Sequence, residues 1–400
     1  MILSVSELRM LDGTRRGSIS DNGLLMYYPN LFISSEMRQR SKNTHVGFLH
    51  NLKVLFLWLS YEGIDLEARF AKNQHLSEKE IHRLVDFCAW TAETHKKLLG
   101  SAALLPTAYM QVKRAAYFQR VTAIRKYMDW LYSQLATESG KREEMARVKA
   151  TMRSLAPNMK NHGKNEHVEV NDEQIEIITN KLMPGHPENP WRSKSDQYRN
   201  LLIFHLLYET GIRRGELLGL YVSDISDCGV AVYRRHNNPI DLRKNQPNAK
   251  TGERTIPIPR ALEMFAYDYV MEYRRKFNRA KKHPYLFVSH KKGAGNPLSI
   301  AAVDWIFRTA RKAFPELKNL SAHKLRHHMN YRISNMIDEK WGHLSPEDRA
   351  IKDQEVRSYL NGWSPEGKQA ARYNRRYNVE EAGKAMVERA ENYEKGRDNR

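Results

Sequence analysis

Apolar residues recur with a helical period over several long stretches of the chain, separated by polar segments rich in turn residues. The first such stretch, from 44 to 63, has apolar side chains three and four positions apart, which predicts an amphipathic helix. Its apolar positions are Phe48, Leu49, Leu52, Leu55, Phe56 and Leu59. Ser77-Glu-Lys-Glu resembles a capping box and predicts the start of a second helix, and a third is predicted from 108 to 135. Residues 44–137 are therefore expected to form a small helical domain, whereas the fold of residues 1–43 stays open.

A second, larger domain is predicted over residues 170–378. Its first helices are expected at 175–182 and 195–209, the latter ending at Gly211. Short runs of β-type residues follow, and the chain beyond Leu298 has a helical pattern. The β-type runs are 229–233, 254–258 and 285–288. The expected fold is mostly α with a small antiparallel β-sheet, in which a helical domain precedes an α+β domain.

The segment 138–169 between these domains has the composition of a linker. It combines Ser-Gly-Lys-Arg with a run from Pro157 to Asn165 that has almost no apolar content. A polar, positively charged linker can follow a phosphate backbone or serve as a solvated hinge, and both interpretations stay open. The tail 379–400 has the pattern of a charged helix.

The balance of charged residues indicates which kind of molecule the protein binds. The 400 residues include 66 Lys and Arg against 46 Asp and Glu, a formal net charge of +20. Such a surplus indicates a polyanionic partner, with nucleic acid first and an anionic membrane surface second. The two cysteines exclude a disulfide framework and a Cys-rich zinc site. No signal peptide or membrane-spanning run is visible, so a cytoplasmic, nucleoid-associated protein is expected.

The segment Thr210-Gly-Ile-Arg-Arg-Gly-Glu places an arginine at the start of a predicted helix. Arg213 and Glu216 are three residues apart, so both side chains can share one helix face. A carboxylate there can hold the guanidinium in a fixed orientation for phosphate oxygens. The alternative is an ordinary surface ion pair worth less than about 1 kcal/mol.

Two further motifs follow in order. Lys250 lies in Ala-Lys-Thr-Gly-Glu-Arg, a turn between two predicted strands, where a lysine can reach into a groove or remain solvated. His323 and Arg326 are at i and i+3 of a predicted helix, so both can donate hydrogen bonds to one phosphate. His323 and His327 also have the i, i+4 spacing of helical zinc motifs, but Lys and Arg between them disfavour a metal.

In this order the motifs resemble the tyrosine recombinase (phage-type integrase) family. The resemblance is clear over 170–378 and weaker over 44–137, which matches the core-binding domain of that family. It implies that Arg213, Lys250, His323 and Arg326 are catalytic and that Glu216 supports them. Leu360-Asn-Gly-Trp-Ser is similar to the family's Leu-Gly-His-x-Ser box and assigns a catalytic position to Trp363. Gly342-His343 mimics the same box without a suitably placed tyrosine.

The nucleophile implied by the resemblance is Tyr373, ten residues after Trp363. Tyr377, one helical turn further on, is the alternative. The family attacks DNA with this phenol and forms a covalent 3′-phosphotyrosyl bond, so neither a metal nor another cofactor is expected. The implied partner is double-stranded DNA bound by a homotetramer, together with an accessory DNA-bending protein. The tail 379–400 can dock on a neighbouring protomer or pack on its own.

The function that follows from the resemblance is site-specific recombination or integration of a mobile element. A resolvase, a transposase and a type IB topoisomerase-like enzyme use the same chemistry and remain alternatives. A DNA-binding protein without catalytic activity is the alternative from a different class. The target sequence and the direction of the reaction stay undetermined by the sequence.

Overall fold

A computed structural model gives the fold of this chain. It describes residues 2–100, 110–136, 142–158, 170–227, 229–235, 238–241, 243, 246–247, 251–291 and 293–364. These residues form two compact units, which divide between 165 and 166. Both units are mainly helical and each contains one three-stranded antiparallel sheet, which confirms the predicted fold class.

In its described residues, the first unit has a sheet followed by seven helices. Strand β2 is the centre of the sheet and pairs with β1 from Leu3↔Asp21 to Arg9↔Arg15. The strands are β1 Leu3–Arg9, β2 Arg15–Asp21 and β3 Leu24–Leu25. The helices are α1 Tyr27–Ser35, α2 Lys42–Glu62, α3 Leu66–Ala71, α4 Glu78–Ala89, α5 Ala92–Gly100, α6 Arg114–Leu135 and α7 Arg142–Leu155.

Local sequence signals explain where these helices start and end. Ser41 caps α2, which ends at Gly63 in the left-handed conformation that a glycine adopts without steric cost. The predicted capping box is present, since the side chain of Ser77 accepts from the Glu80 amide and Glu80 accepts from the Ser77 amide. The helix predicted from 108 begins only at Arg114 among the described residues.

Two elements of this unit are absent from the prediction. The sheet occupies part of the segment left open, and Ile19 of β2 is completely buried in the core with the helices. Helix α7 lies within the predicted linker and buries Met145, Val148 and Met152 in the same core. These apolar positions recur at i, i+3 and i+7, the spacing of one helix face. The residues around them are strongly charged, so the average composition of the segment is that of a linker.

The second unit packs around α9 (Lys194–Thr210), a helix that is buried on nearly all sides. Strand β5 pairs with β4 and β6, both antiparallel. The strands are β4 Ile225–Ser226, β5 Gly229–Val232 and β6 Arg254–Ile256. The helices are α8 Asp172–Glu176, which continues as a π-helical turn over Ile177–Lys181, then α9 Lys194–Thr210, α10 Arg214–Gly219, α11 Arg260–Asp268, α12 Ile300–Ala313, α13 Ala322–Trp341 and α14 Pro346–Asn361.

The end of α9 agrees with the prediction, because Gly211 takes the left-handed conformation (φ 59°) that closes the helix. The predicted strand at 285–288 is reduced to two isolated bridges, Tyr221 with Tyr285 and Val288 with Pro297. Beyond α13, the chain turns at Gly342 and enters α14 at Pro346. The predicted helix at 379–400 lies outside the described residues. None of the described helices is both long and apolar enough to cross a membrane.

Candidate active site

Three distant segments meet at the carboxyl end of α9. Arg213 follows that helix, Arg326 lies in the first turns of α13, and Asn361 ends α14. Arg213 Nη1 and Arg326 Nη2 each lie 3.4 Å from the carbonyl oxygen of Asn361. Arg326 Nη1 also donates to the Gly211 carbonyl at 2.6 Å, so the turn that precedes Arg213 is tied to α13. The two predicted catalytic arginines are therefore brought together.

The two arginines differ in exposure. Arg326 is only 3% exposed, whereas the side chain of Arg213 is 34% exposed. Arg213 is the residue that precedes α10 and has extended backbone (φ −71°, ψ 150°). Its backbone amide donates to Glu216 Oε2 at 2.9 Å, and its guanidinium reaches Glu216 Oε1 at 3.4 Å. Glu216 therefore orients both the backbone and the side chain of Arg213.

Glu216 has a stronger partner than the predicted one. Its completely buried carboxylate pairs with Arg254 Nη2 at 2.9 Å and also accepts from the Thr251 hydroxyl. Burial alone would raise the pKa of Glu216, but the positive charge of Arg254 and the hydrogen bonds hold it below its usual range. The ionised carboxylate of Glu216 is thus fixed between Arg213, at the start of α10, and Arg254 of β6.

Arg254 connects β6 to the last turn of α14. Its guanidinium, 1% exposed, donates through Nε to the Leu360 carbonyl at 2.8 Å and through Nη1 to the Gly252 carbonyl at 3.2 Å. The Gly252 amide in turn donates to the Gly362 carbonyl at 2.9 Å. The residues immediately after Lys250 are therefore anchored beside Gly362. Lys250 itself lies outside the described residues.

Trp363 follows the left-handed Gly362 that ends α14 (φ 64°). The indole is 8% exposed, and the Arg326 guanidinium lies 5.6 Å from its ring centre, a cation–π contact. The Trp363 amide donates to the Ser358 carbonyl at 2.9 Å. The structure therefore places the predicted tryptophan in contact with the predicted arginine of α13.

His323 lies one turn before Arg326 on α13 and is exposed. Its Nε2 lies 2.9 Å from Nε2 of His327, so one ring donates a hydrogen bond to the other. Among the described residues there is no group of three or more His, Cys, Asp or Glu side chains that could hold a metal ion. Tyr373 and Tyr377 lie outside the described residues.

A buried polar network supports this region and was not predicted. Asn330 of α13 and Asn361 exchange side-chain hydrogen bonds of 2.9 and 3.2 Å. The buried Arg357 donates to Asp353 at 2.7 Å and to the Asn330 carbonyl at 2.6 Å. Their positions next to the His-x-x-Arg and Gly-Trp motifs are the only sequence signal for these residues, because the sequence does not show which helix faces meet.

The same part of the chain is similar to known proteins. The model of the phage integrase family matches residues 172–341. Residues 172–341 form a phage integrase family domain. This match confirms the resemblance inferred from the motifs and covers Arg213, Glu216, His323 and Arg326.

Two curated relatives match part of this chain over part of their own length. Transposase A from transposon Tn554 of Staphylococcus aureus is 32% identical over 146 residues, which are 36% of this chain and 37% of the transposase. Tyrosine recombinase XerD from Halalkalibacterium halodurans is 32% identical over 129 residues, 32% of this chain and 38% of XerD. The chain thus spans little more than a third of the length of these relatives.

A solved structure, the XerA recombinase, aligns with 87% of this chain and 91% of its own, at 14% identity and a TM-score of 0.34.

Proposed function

We propose that this phage integrase family domain makes the chain a site-specific DNA recombinase that cuts and rejoins DNA through a tyrosine. The observation that carries the proposal is the convergence of Arg213 and Arg326 on one oxygen atom. Two guanidinium groups held this close repel each other, and a phosphate between them relieves that repulsion. The relatives named as a transposase and a tyrosine recombinase support the same activity.

In the proposed reaction the phenol oxygen of Tyr373 attacks the phosphorus atom of the scissile phosphodiester. The new bond joins the tyrosine oxygen to phosphorus, and the bond from phosphorus to the 5′ oxygen breaks. Lys250 supplies a proton to the leaving 5′ oxygen as general acid. The phenol proton passes to solvent water, and neighbouring cations favour the phenolate that results. A 5′ hydroxyl from another strand reverses the steps.

The described cations have distinct tasks in this proposal. Arg213 and Arg326 bind the non-bridging oxygens and stabilise the negative charge that develops on them. His323 and the Trp363 indole add hydrogen bonds to the same phosphate. The anchored residues Thr251 and Gly252 hold the hairpin so that Lys250 can approach the leaving oxygen. Because the phosphodiester energy is kept in the covalent bond, the proposed reaction requires no ATP. Because the arginines stabilise the charge that develops on the phosphate, it is also proposed to require no metal.

The proposed substrate is double-stranded DNA, and strand exchange between two duplexes implies four active sites, hence a homotetramer on DNA. An accessory DNA-bending protein is a further proposed partner. A transposase, a resolvase and a type IB topoisomerase-like enzyme share the cleavage step and differ in which ends are rejoined.

The test is capture of the covalent intermediate on nicked suicide duplexes spanning the junctions of the element that carries the gene. The full-length protein is expected to form an adduct in EDTA that withstands denaturant, and Tyr373→Phe is expected to abolish it. Tyr377→Phe is the matched control and should retain it. The reverse pattern assigns the nucleophile to Tyr377. The proposed function is rejected if the unchanged protein, which has both tyrosines, forms no adduct. It is also rejected if Tyr373→Phe and Tyr377→Phe both still form the adduct.

A further inference from the structure

A second basic surface lies in the same unit at a distance from the proposed active site. Residues 273–303 contain eight Lys and Arg residues and no Asp or Glu. Six of the cations are described and exposed, and they are called the basic edge here. The basic edge consists of Arg275, Lys276, Arg279, Lys281, Lys282 and Lys291. None of the six forms an ion pair with a carboxylate of the described residues.

The backbone under the basic edge is held by a buried arginine. Arg274, 6% exposed, donates to three carbonyl oxygens: Tyr285 at 2.8 Å, Ala280 at 3.0 Å and His283 at 2.8 Å. These bonds close the segment 274–285 into a compact loop. Because a buried guanidinium satisfies the carbonyls from inside, the neighbouring cations are presented on a fixed backbone.

A second loop locks against the first. The Phe277 ring stacks on His290 with centroids 4.9 Å apart, and His283 Nε2 contacts the Gly295 carbonyl at 2.7 Å. Gly295 has a φ of 83°, and a Cβ there would come within 3.0 Å of Phe277 and Ala280. The two loops therefore form one surface that includes Lys291.

The basic edge is attached to the opposite end of α9 from the proposed active site. His290 contacts Asp196 at 3.2 Å, and Arg199 donates to the Val288 carbonyl at 3.2 Å, both in the first two turns of that helix. Arg199 and Gly211 are separated by about 18 Å at the helical rise per residue. The basic edge is thus too far away to bind the scissile phosphate.

We infer that the basic edge binds the phosphate backbone of DNA that flanks the cleavage site, an inference that rests on the proposed function. Its high positive charge without a carboxylate favours a polyanion such as the phosphate backbone of DNA. Phe277 packs inward on His290. The exposed Trp305 ring lies 5.0 Å from the Lys291 ammonium and is a single aromatic group beside six cations. That is less than the apolar helix face by which proteins insert into a bilayer. Contacts of this kind raise affinity for any sequence and position the duplex.

The test compares two full-length variants that each lose three positive charges. K276Q/K281Q/K282Q alters the basic edge, and K312Q/K340Q/K352Q alters exposed lysines elsewhere in the same unit. Binding to a duplex of about 40 base pairs is measured against salt concentration. The edge variant is expected to bind about tenfold or more weakly, with the salt slope reduced by about three. The control variant is expected to keep the affinity and slope of the unchanged protein.

Two further measurements separate this inference from the proposed function. Adduct formation with Tyr373 intact, at protein concentrations that saturate the DNA, is expected to be equal in both variants. If no variant forms the adduct, the cleavage proposal is rejected. The difference in DNA affinity between the two variants still decides whether the basic edge binds DNA. Equal affinity of the two variants for the long duplex overturns the inference. Binding to phosphatidylserine vesicles that only the edge variant loses, with DNA binding unchanged, also overturns it.

Discussion

The carboxylate of Glu216 and the guanidinium of Arg254 form an ion pair of 2.9 Å in which both side chains are almost completely buried, 0% and 1% exposed. The pair joins α10 to β6, and Arg254 extends the connection to α14 through the Leu360 carbonyl. Arg213, Thr251 and Gly362 are each attached to this pair directly or through one residue. Its geometry therefore sets the relative positions of three segments of the proposed active site.

Removing one partner of this pair is expected to destabilise the second unit strongly. Arg254→Met removes the buried partner of the Glu216 carboxylate and leaves only the part-exposed Arg213 guanidinium at 3.4 Å; breaking a buried pair in this way costs about 3–5 kcal/mol in comparable cases. The double variant Glu216→Leu/Arg254→Met is expected to lose less than the sum of the two single variants, because neither buried charge is left without the other. Urea unfolding of the full chain provides the measurement.

The exposed pair Arg260–Glu263 is the control for this prediction, with side chains 71% and 20% exposed. Arg260→Met is expected to change the unfolding free energy by less than about 1 kcal/mol. Equal losses in Arg254→Met and Arg260→Met would contradict a special role for the buried pair.

Gly362→Ala is expected to disturb the contact between the hairpin and α14. At φ 64° an added Cβ would lie 2.8 Å from Arg254 Nη1 and from the Gly252 carbonyl oxygen. Backbone strain costs about 1–2 kcal/mol, and the crowding adds about 1–3 kcal/mol. Gly185→Ala has a similar backbone (φ 88°) with nothing within 4 Å of the new atom, so it isolates the crowding. Thermal unfolding should give a clearly larger loss for Gly362→Ala, and equal losses would refute the crowding.

Arg213 and Arg214 are adjacent and carry the same charge, but only Arg213 lies in the proposed active site. Substituting each in turn separates the effect of position from the effect of losing a charge. Arg213 contacts Glu216 and the Asn361 carbonyl, whereas Arg214 pairs with Asp304 and is 38% exposed. Arg213→Ala is expected to reduce the rate of adduct formation by about 10²–10³-fold, because a donor to the developing charge is lost. Arg214→Ala should stay within a few-fold of the unchanged protein in the same suicide-substrate assay. A comparable loss in both would indicate a general electrostatic effect.

Acid is expected to weaken the second unit through Asp196. Although burial opposes its ionised form, the hydrogen bond from His290 and the charge of Arg199 lower the pKa of Asp196 to about 2. The ordinary value of 3.8 applies to the unfolded chain, so the unfolded state takes up the proton first as pH falls. The stabilisation is complete above about pH 4 and is lost towards about pH 2.

Asp196→Asn is the variant that checks this pH dependence. Its melting temperature is expected to be lower near neutrality, since Arg199 loses its carboxylate, and to vary less between about pH 5 and 2. Asp304→Asn, which alters a half-exposed carboxylate, serves as the control. Parallel curves for Asp196→Asn and the unchanged protein would refute the assignment.

Elements with strong local signals were predictable from the sequence. The caps at Ser77 and Gly211 and the apolar period of α2 depend on neighbouring residues alone, and they fix the helix ends. The sheet at the N-terminus was not predictable, because the pairing of β1 with β2 and the burial of Ile19 need the helices that cover them. Helix α7 was assigned to a linker because its three buried residues lie among many charges.

The order of the motifs by itself determined the resemblance to one family, and it predicted that Arg213, His323, Arg326 and Trp363 belong to the pattern of that family, since the pattern is a property of residue types and spacing. The tertiary structure alone decided that Glu216 pairs mainly with Arg254, and that Asn361 supplies the oxygen on which both arginines converge. These partners are separated by 38, 148 and 35 residues along the chain. Such contacts arise only when α9, α13, α14 and the hairpin pack together, because no local periodicity specifies which distant faces will meet.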